Sequence, residues 1–159
     1  MKILLAIDDS KFSEAALQSV VAQNHSKDTE VKVLHVVEPP SRLVAREMGG
    51  YVASLEAVWD GESKLGRTLV AKAAEALSTH GFKASVVVKQ GDPKSMIIDV
   101  ATEWNADLIV LGSHGRKALD RFLMGSVSEA TVRHAVCSVE VVRISADRSD
   151  IPIPRDRNR

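Results

Sequence analysis

The residues best suited to chemistry lie in two short segments, each of which follows a strongly apolar run. Asp8-Asp9-Ser10 follows the run Ile3–Ile7, and Gly112-Ser113-His114-Gly115-Arg116-Lys117 follows Asp107–Leu111. Ten residues after Gly115 the sequence continues with Gly125-Ser126. Glycine lets backbone N–H groups turn toward a ligand, and a helix that starts at such a segment adds unpaired N–H groups and a partial positive charge. This pattern is typical of a site that holds phosphate.

The side chains of the second segment favour the same interpretation. Arg116 and Lys117 are cations, and Ser113 and Ser126 carry hydroxyl donors. A simpler interpretation is that the glycines serve tight turns and that Ser126 only caps its helix, because Ser126-Val127-Ser128-Glu129 has the spacing of a capping box. From spacing alone the two interpretations stay open.

Five apolar runs without polar alternation predict strands that are covered on both faces, as in a parallel sheet. They are Ile3–Ile7, Val31–Val37, Phe82–Val88, Asp107–Leu111 and Ser138–Ile144. Four amphipathic stretches between them predict crossover helices: Lys11–Gln23, Leu55–Leu77, Met96–Trp104 after the Asp92-Pro93 start signal, and one from about Ser126. The alternation predicts a doubly wound α/β sheet, whose ligands bind beyond the carboxyl ends of the strands.

Composition limits the class of protein. The 159 residues fit one domain, and 21 basic against 21 acidic residues give no electrostatic footprint for nucleic acid or an anionic membrane. No apolar run approaches a membrane span, and the N-terminus lacks the pattern of a secretory signal. The single Cys137 allows no internal disulfide. We expect a cytoplasmic domain over residues 1–144, with no nucleic-acid or membrane partner, followed by an Arg- and Pro-rich tail over residues 145–159.

The glycine spacing, read with its surroundings, resembles a known family. Gly112-x2-Gly115-x9-Gly125-Ser126 resembles the nucleotide-binding signature of the ATP-binding universal stress proteins, and residues 106–143 resemble the C-terminal third of that family. The opening ILLAIDDS, the HVVEP after the second strand and the QGDP before the third helix agree in kind and spacing. The resemblance covers Met1 to about Ile144.

This resemblance implies a Rossmann-like sheet of the adenine nucleotide α-hydrolase type, with strand order 3-2-1-4-5, a homodimer, and ATP at the point where strand order reverses. It implies that Asp8 contacts the adenosine end and that the backbone of Val36 meets adenine. Ribose and phosphates would be held by Gly112, Gly115, Gly125, Ser126 and Val127. The remaining candidates are Ala6, Ile7, Ser10, Ser113, His114 and Arg116. The implied role is a nucleotide-responsive stress or regulatory module with an unidentified protein partner, and at most a weak ATPase.

Two residues depart from the family pattern. Asp9 occupies a position that is commonly glycine, and a second carboxylate near a triphosphate needs either a bridging Mg²⁺ or Mn²⁺ or an orientation toward solvent near Lys11. We favour the solvent orientation. Glu140 interrupts the last strand, through which many members pair, and an acid on an edge strand opposes pairing.

Several alternatives remain. A slow metal-dependent ATP hydrolase or phosphotransfer enzyme and an AMP or cyclic-nucleotide sensor would use the same fold. The acids Asp8-Asp9 also resemble those of receiver domains, but no Lys follows the fifth strand. The near-Walker pattern Gly61–Thr68 has Arg67 in place of Lys and lies in a helical stretch.

The remaining residues that could do chemistry are interpreted as structural. The five histidines show no metal-ligand spacing, and we expect His114 to face water. Cys137 is expected to be a buried small residue, and Trp59 and Trp104 are expected to pack in the core.

Overall fold

The computed structural model describes residues 1–23, 28–39, 52–115 and 124–144, with side chains from residue 57 onward in the third range. The strands are β1 (Lys2–Ala6), β2 (Glu30–Val37), β3 (Lys83–Gln90), β4 (Leu108–Gly112) and β5 (Ser138–Val142). The helices are α1 (Lys11–Ala22), α2 (Val52–Thr79), α3 (Pro93–Trp104) and α4 (Ser126–His134). All five predicted strands and all four predicted helices are confirmed, with boundaries that differ by a few residues. The predicted tail lies outside the described residues.

The five strands form one parallel sheet in the order β3-β2-β1-β4-β5, as the family resemblance implied. In the centre of the sheet, Ala6 at the end of β1 pairs with Leu34 on one side and Leu111 on the other. The chain moves outward in one direction from β1 to β3 and in the other from β4 to β5. Strand order therefore reverses between β1 and β4, which is where this class of fold opens a crevice.

Successive residues of each strand pack into two separate core layers, because side chains alternate between the faces of a sheet. Leu5 and Val33 face α1 and α2, whereas Leu4 and Leu34 face α3 and α4. All four side chains are fully buried, and each contributes about 1.5–3 kcal/mol to folding by leaving water. Burial on both faces explains the apolar runs of β1, β2 and β4. The predicted cover on both faces is wrong for β3, an edge strand with no buried residue, on which Val86 is 51% exposed.

Nearby side chains and backbone conformation determine where α1 begins and where α3 begins and ends. The Oγ of Ser10 accepts the N–H of Ser13 at the start of α1, and the carboxylate of Asp92 accepts the N–H of Ser95 at the start of α3. Pro93 occupies the first turn of α3, and Asn105 ends it in the left-handed conformation. The predicted Asp92 cap is confirmed.

The near-Walker pattern Gly61–Thr68 lies wholly inside α2, a helix of 28 residues. A phosphate-binding loop of that kind needs a strand, a loop and a helix in succession, so this segment is not one. Among the described residues, no helix combines the length and the hydropathy that a membrane span requires.

Candidate functional site

The sheet brings the segments that begin at Asp8 and Gly112 together at the carboxyl ends of its strands. Because Ala6 and Leu111 are paired, the chain leaves β1 at Ile7 directly beside the point where it leaves β4 at Gly112. On the other side of β1, the N–H of Ile7 donates to the carbonyl of Leu34 at 2.9 Å. The predicted site residues that follow β1 and β4 therefore lie close together at the carboxyl end of the sheet.

Asp8 is anchored to the first turn of α1 through one carboxylate oxygen. Its Oδ1 accepts the N–H of Ser10 at 3.1 Å, the hydroxyl of Ser10 at 2.5 Å and the hydroxyl of Ser13 at 2.7 Å. The N–H of Asp8 in turn donates to the Oγ of Ser13 at 2.9 Å. Sequence reasoning missed Ser13, although its spacing of three residues from the Ser10 cap is a recognisable signal.

The other carboxylate oxygen of Asp8 lies against the segment Gly112–Gly115 at the end of β4, which we call the glycine loop. A Cβ atom placed on Gly115 would lie 2.9 Å from Oδ2 of Asp8. Gly115 is exposed, so this contact joins the end of β1 to the surface of the loop after β4. The structure thus brings Asp8 and Gly115 together, as the two-segment site requires.

Gly112 occupies a place where a side chain would not fit, and Gly125 one where a side chain would be tightly packed. A Cβ on Gly112 would lie 2.7 Å from the carbonyl carbon of Phe12, and one on Gly125 would lie 3.1 Å from the carbonyl oxygen of Ser113. Neither has a positive φ, so both serve close backbone approach and not a left-handed turn. The N–H of Gly125 donates to the carbonyl of Ser113 at 2.8 Å, which brings the start of α4 back to the end of β4.

The predicted capping box at the start of α4 is wrong. Gly125 is the N-cap, no side chain caps the helix, and Ser126 is its first residue. Glu129 forms an ion pair with Arg133 at 2.8 Å instead of reaching back, and the hydroxyl of Ser128 donates to the carbonyl of Gly112 at 2.8 Å. The helix therefore begins one residue earlier than predicted, at a glycine that has no side chain to cap it.

The uncapped helix leaves a set of donors at the crevice. Within the part of the chain that the structure describes, no acceptor pairs with the N–H groups of Ser126, Val127 and Ser128. The first intrahelical bond of α4 runs from Glu129 to the carbonyl of Gly125 at 2.9 Å. Three N–H groups at a helix N-terminus, where the helix dipole is positive, suit an anion.

His114 does not face water, contrary to the expectation from the sequence. The residue is buried, with 9% of its surface exposed, and the centroid of its ring lies 5.0 Å from that of Phe12. Its Nδ1 lies 3.0 Å from the Oγ of Ser113, and its Nε2 has no hydrogen-bond partner among the described residues. Phe12 covers the imidazole, so the His114 ring packs against α1.

The other candidate residues lie at the carboxyl ends of β1 and β2 or directly after them. Ala6 and Ile7 are buried, Ser10 is half-buried, and Asp9 is exposed, as we favoured. Val36 is half-buried and lies two residues beyond Leu34, past the end of β1. Arg116 and Lys117 lie outside the described residues.

His35 is a second residue that sequence reasoning missed. Its ring is buried beside the end of β1, and its Nδ1 lies 2.8 Å from the carbonyl oxygen of Ile7. A carbonyl oxygen can only accept, so Nδ1 carries the proton. The position of His35 directly before the candidate Val36 is the signal that could have identified it.

Residues outside the crevice show structural roles. Burial, and secondarily the negative charge of Asp107, raise the pKa of the Cys137 thiol, so this cysteine is a poor nucleophile at neutral pH. Trp104 packs against the core, and the ammonium groups of Lys32 and Lys2 lie 4.5 and 5.5 Å from its ring centroid. The described residues contain no cluster of three or more potential metal ligands.

Glu140 is turned onto α1 and does not project from the sheet edge. Its carboxylate accepts the hydroxyl of Ser19 at 2.7 Å and the side-chain amide of Gln23 at 2.8 Å. This acid therefore joins β5 to the C-terminal end of α1.

Together, the strand order and the alternating helices define a doubly wound α/β protein, and the candidate site lies at the switch point where ligands bind in this class of fold. The model of the universal stress protein family matches residues 1–143. The chain belongs to that family. A putative universal stress protein of Staphylococcus aureus strain USA300 is 33% identical over 143 residues, which cover 89% of this chain and 82% of that relative. The solved structure of hypothetical protein MJ0577 is 28% identical, with a TM-score of 0.79 and coverage of 92% and 97%.

Two further solved relatives hold nucleotides. A universal stress protein in complex with cAMP has 17% identity and a TM-score of 0.61, and covers 90% of this chain and 96% of its own. A family member from Arabidopsis thaliana with AMP bound has 18% identity and a TM-score of 0.62, with coverage of 92% and 93%. At these identities the likeness to this chain is one of fold.

The contact at Gly112 yields a prediction about stability. Gly112→Ala would place a methyl group 2.7 Å from the backbone of Phe12, so α1 must shift, and we expect a loss of about 1–3 kcal/mol in the free energy of unfolding measured with urea. Gly61→Ala is the matched control, because nothing lies within 4 Å of its Cβ position, and it should gain about 0.5–1 kcal/mol. A Gly112→Ala variant as stable as the wild type would contradict the close approach of α1.

Proposed function

We propose that this chain binds ATP in the crevice between β1 and β4 and acts as a nucleotide-responsive regulatory module. The observation that carries the proposal is the set of three N–H groups on Ser126, Val127 and Ser128, for which the described residues provide no acceptor. A polyanion would satisfy these donors. The carboxylate of Asp8, which follows β1, lies beside Gly115 of the glycine loop at the same site.

The phosphates would lie at the start of α4. Hydrogen bonds from N–H groups to a charged acceptor contribute about 1.5–3 kcal/mol each, and the helix dipole adds to them. The hydroxyl of Ser126, which is exposed on the first turn, is a further donor. Arg116 remains a proposed phosphate contact from the sequence.

The adenosine would lie toward β1 and β2. Because Oδ1 of Asp8 is bound by Ser10 and Ser13, its Oδ2 is held in a fixed direction and can accept a ribose hydroxyl. The backbone of Val36, just past the end of β1, is the proposed contact for adenine. Asp9 is exposed, which agrees with the solvent orientation, and a bridge from its carboxylate to the phosphates through Mg²⁺ or Mn²⁺ is the alternative, since Mg²⁺ commonly uses one or two carboxylates together with phosphate oxygens.

The described geometry favours binding over hydrolysis. A general base must reach the attacking water, and the two nearest candidates are constrained: Oδ1 of Asp8 is bound by hydroxyls and an N–H, and His114 is buried against Phe12. A slow hydrolase predicts phosphate release that requires Mg²⁺ and disappears in Asp8→Asn or Asp9→Asn. A monophosphate or cyclic-nucleotide sensor predicts tighter binding of AMP or cAMP than of ATP, and the two nucleotide-bound relatives favour testing it.

The site is tested with a charge placed in the loop. Gly115→Asp puts a second carboxylate beside Oδ2 of Asp8 and where phosphates are proposed, and we expect ATP affinity in calorimetry to fall at least about 30-fold, or about 2 kcal/mol. Gly125→Asp should act in the same direction. Gly61→Asp, an identical change at an open position of α2, should leave affinity unchanged.

Titrations with ATP, AMP and cAMP in Mg²⁺ separate the candidates. ATP binding that exceeds AMP binding supports the proposed phosphate contacts. Unchanged ATP affinity in a folded Gly115→Asp variant would refute the assignment of the loop.

We further propose that two copies of the chain pair along β5. This strand has only β4 as a described neighbour, and Val132, Val136 and Ile144 are exposed around it. Because Glu140 is held by Ser19 and Gln23, its charge does not project from the edge to oppose pairing. Localisation in the cytoplasm stays a prediction from the sequence.

The pairing edge is tested by sedimentation. Val136 is 76% exposed next to β5, and we expect Val136→Glu to convert a dimer into a monomer because it places a charge in an apolar contact. Val86→Glu is the control, since Val86 is 51% exposed on β3 at the opposite edge of the sheet. A monomeric wild type, or an equal effect of both variants, would contradict pairing along β5.

A further inference from the structure

One peptide unit at the end of β1 is held at both of its polar ends by side chains from other elements. The unit contains the carbonyl of Ile7 and the N–H of Asp8. His35 of β2 donates from Nδ1 to the carbonyl at 2.8 Å, and the N–H donates to the Oγ of Ser13 at 2.9 Å. Because a peptide unit is planar, these two bonds together fix the direction in which Asp8 leaves the strand.

The His35 ring has little room to move. The residue is 6% exposed, and its imidazole lies against α2 at Gly66. A Cβ on Gly66 would lie 2.5 Å from Cδ2 of the ring and 3.3 Å from Nε2. Only glycine allows the helix to approach this closely, although glycine inside a helix costs about 0.5–1 kcal/mol relative to alanine.

Gly61, the other glycine of the near-Walker pattern, shows that α2 does not need glycine at every such position. Nothing lies within 4 Å of a Cβ on Gly61, which is in the same helix five residues earlier. The requirement at Gly66 therefore comes from His35 and not from α2 itself.

We propose that His35 is a positioning residue for the adenosine end of the nucleotide site, and that Gly66 of α2 provides the space it needs. The inference rests on the proposed function. His35 orients the peptide that carries Asp8, and Val36, the proposed adenine contact, is the next residue of β2. A displacement of the ring by α2 therefore changes the adenosine contacts. The phosphate donors of α4 belong to a different segment, which returns to the end of β4 through Gly125 and Ser113.

The first test is Gly66→Ala against the matched control Gly61→Ala. The methyl group at residue 66 displaces the ring, and we expect the affinities for AMP and ATP to fall by the same factor, about tenfold, the scale of one lost hydrogen bond to a charged group. Inorganic tripolyphosphate, which has no adenosine, should bind both variants and the wild type equally. Gly61→Ala should bind all three compounds as the wild type does.

A double-mutant cycle identifies the ring as the cause. His35→Asn keeps an N–H donor near the position of Nδ1 and removes the Cδ2 atom that a methyl group at residue 66 would meet. In the His35→Asn background, Gly66→Ala should therefore have no further effect on AMP affinity. His35→Leu removes the donor and should weaken AMP and ATP equally with either residue at position 66.

Amide spectra of the nucleotide-free protein give a readout that does not depend on binding. In ¹H–¹⁵N spectra the Asp8 signal should shift in Gly66→Ala and His35→Leu and stay in place in Gly61→Ala. Three results would overturn this inference and leave the proposed function intact: an unmoved Asp8 signal, unchanged AMP affinity in Gly66→Ala, or an equal loss of tripolyphosphate affinity in that variant. A wild type that binds neither AMP nor ATP would overturn the proposed function and this inference with it.

Discussion

The approach of α1 to the end of β4 is the contact on which the crevice depends. The backbone of Phe12 passes so near Gly112 that no Cβ fits between them, and this places the first turn of α1 over the switch point. From there Ser10 and Ser13 hold Asp8, and the Phe12 ring covers His114 of the glycine loop. On the other side of β4, the hydroxyl of Ser128 donates to the carbonyl of the same Gly112 and ties α4 to the end of the strand, while the N-cap Gly125 offers no side chain to its first turn. Both helices thus meet at Gly112, and the glycine N-cap leaves the first N–H groups of α4 without a side-chain acceptor.

The sequence was sufficient for the elements that local patterns determine. Continuous apolar runs such as Val31–Val37 indicated strands buried on both faces, and Asp92-Pro93 indicated where α3 begins, because a cap and a proline act within one turn. Strand order was not available from the runs themselves, since alternating strands and helices are compatible with more than one order. It came from the resemblance of the glycine loop and three further segments to the universal stress proteins, and the sheet confirms it.

The misses share one cause, which is contact between residues far apart in the chain. Ser126 had the local pattern of a cap, but the tertiary bond from Ser128 to Gly112 and the return of Gly125 to Ser113 decided how α4 begins. His114 lies in a glycine-rich segment that suggested exposure, and Phe12, about a hundred residues earlier, buries it. Gly66 looked like part of a failed phosphate loop, and only the position of His35 explains why a glycine stands inside a helix.

The central claim is that the crevice between β1 and β4 holds a nucleoside triphosphate. The most direct measurement is to denature freshly purified protein, identify any released nucleotide by mass spectrometry, and titrate the emptied protein with ATP and AMP in Mg²⁺. The account predicts one adenine nucleotide per chain and tighter binding of ATP than of AMP, because the three open N–H groups of α4 meet the additional phosphates. If the protein releases no nucleotide and binds no measurable ATP, the claim is contradicted, and the chain is a family member whose function resides on its outer surface.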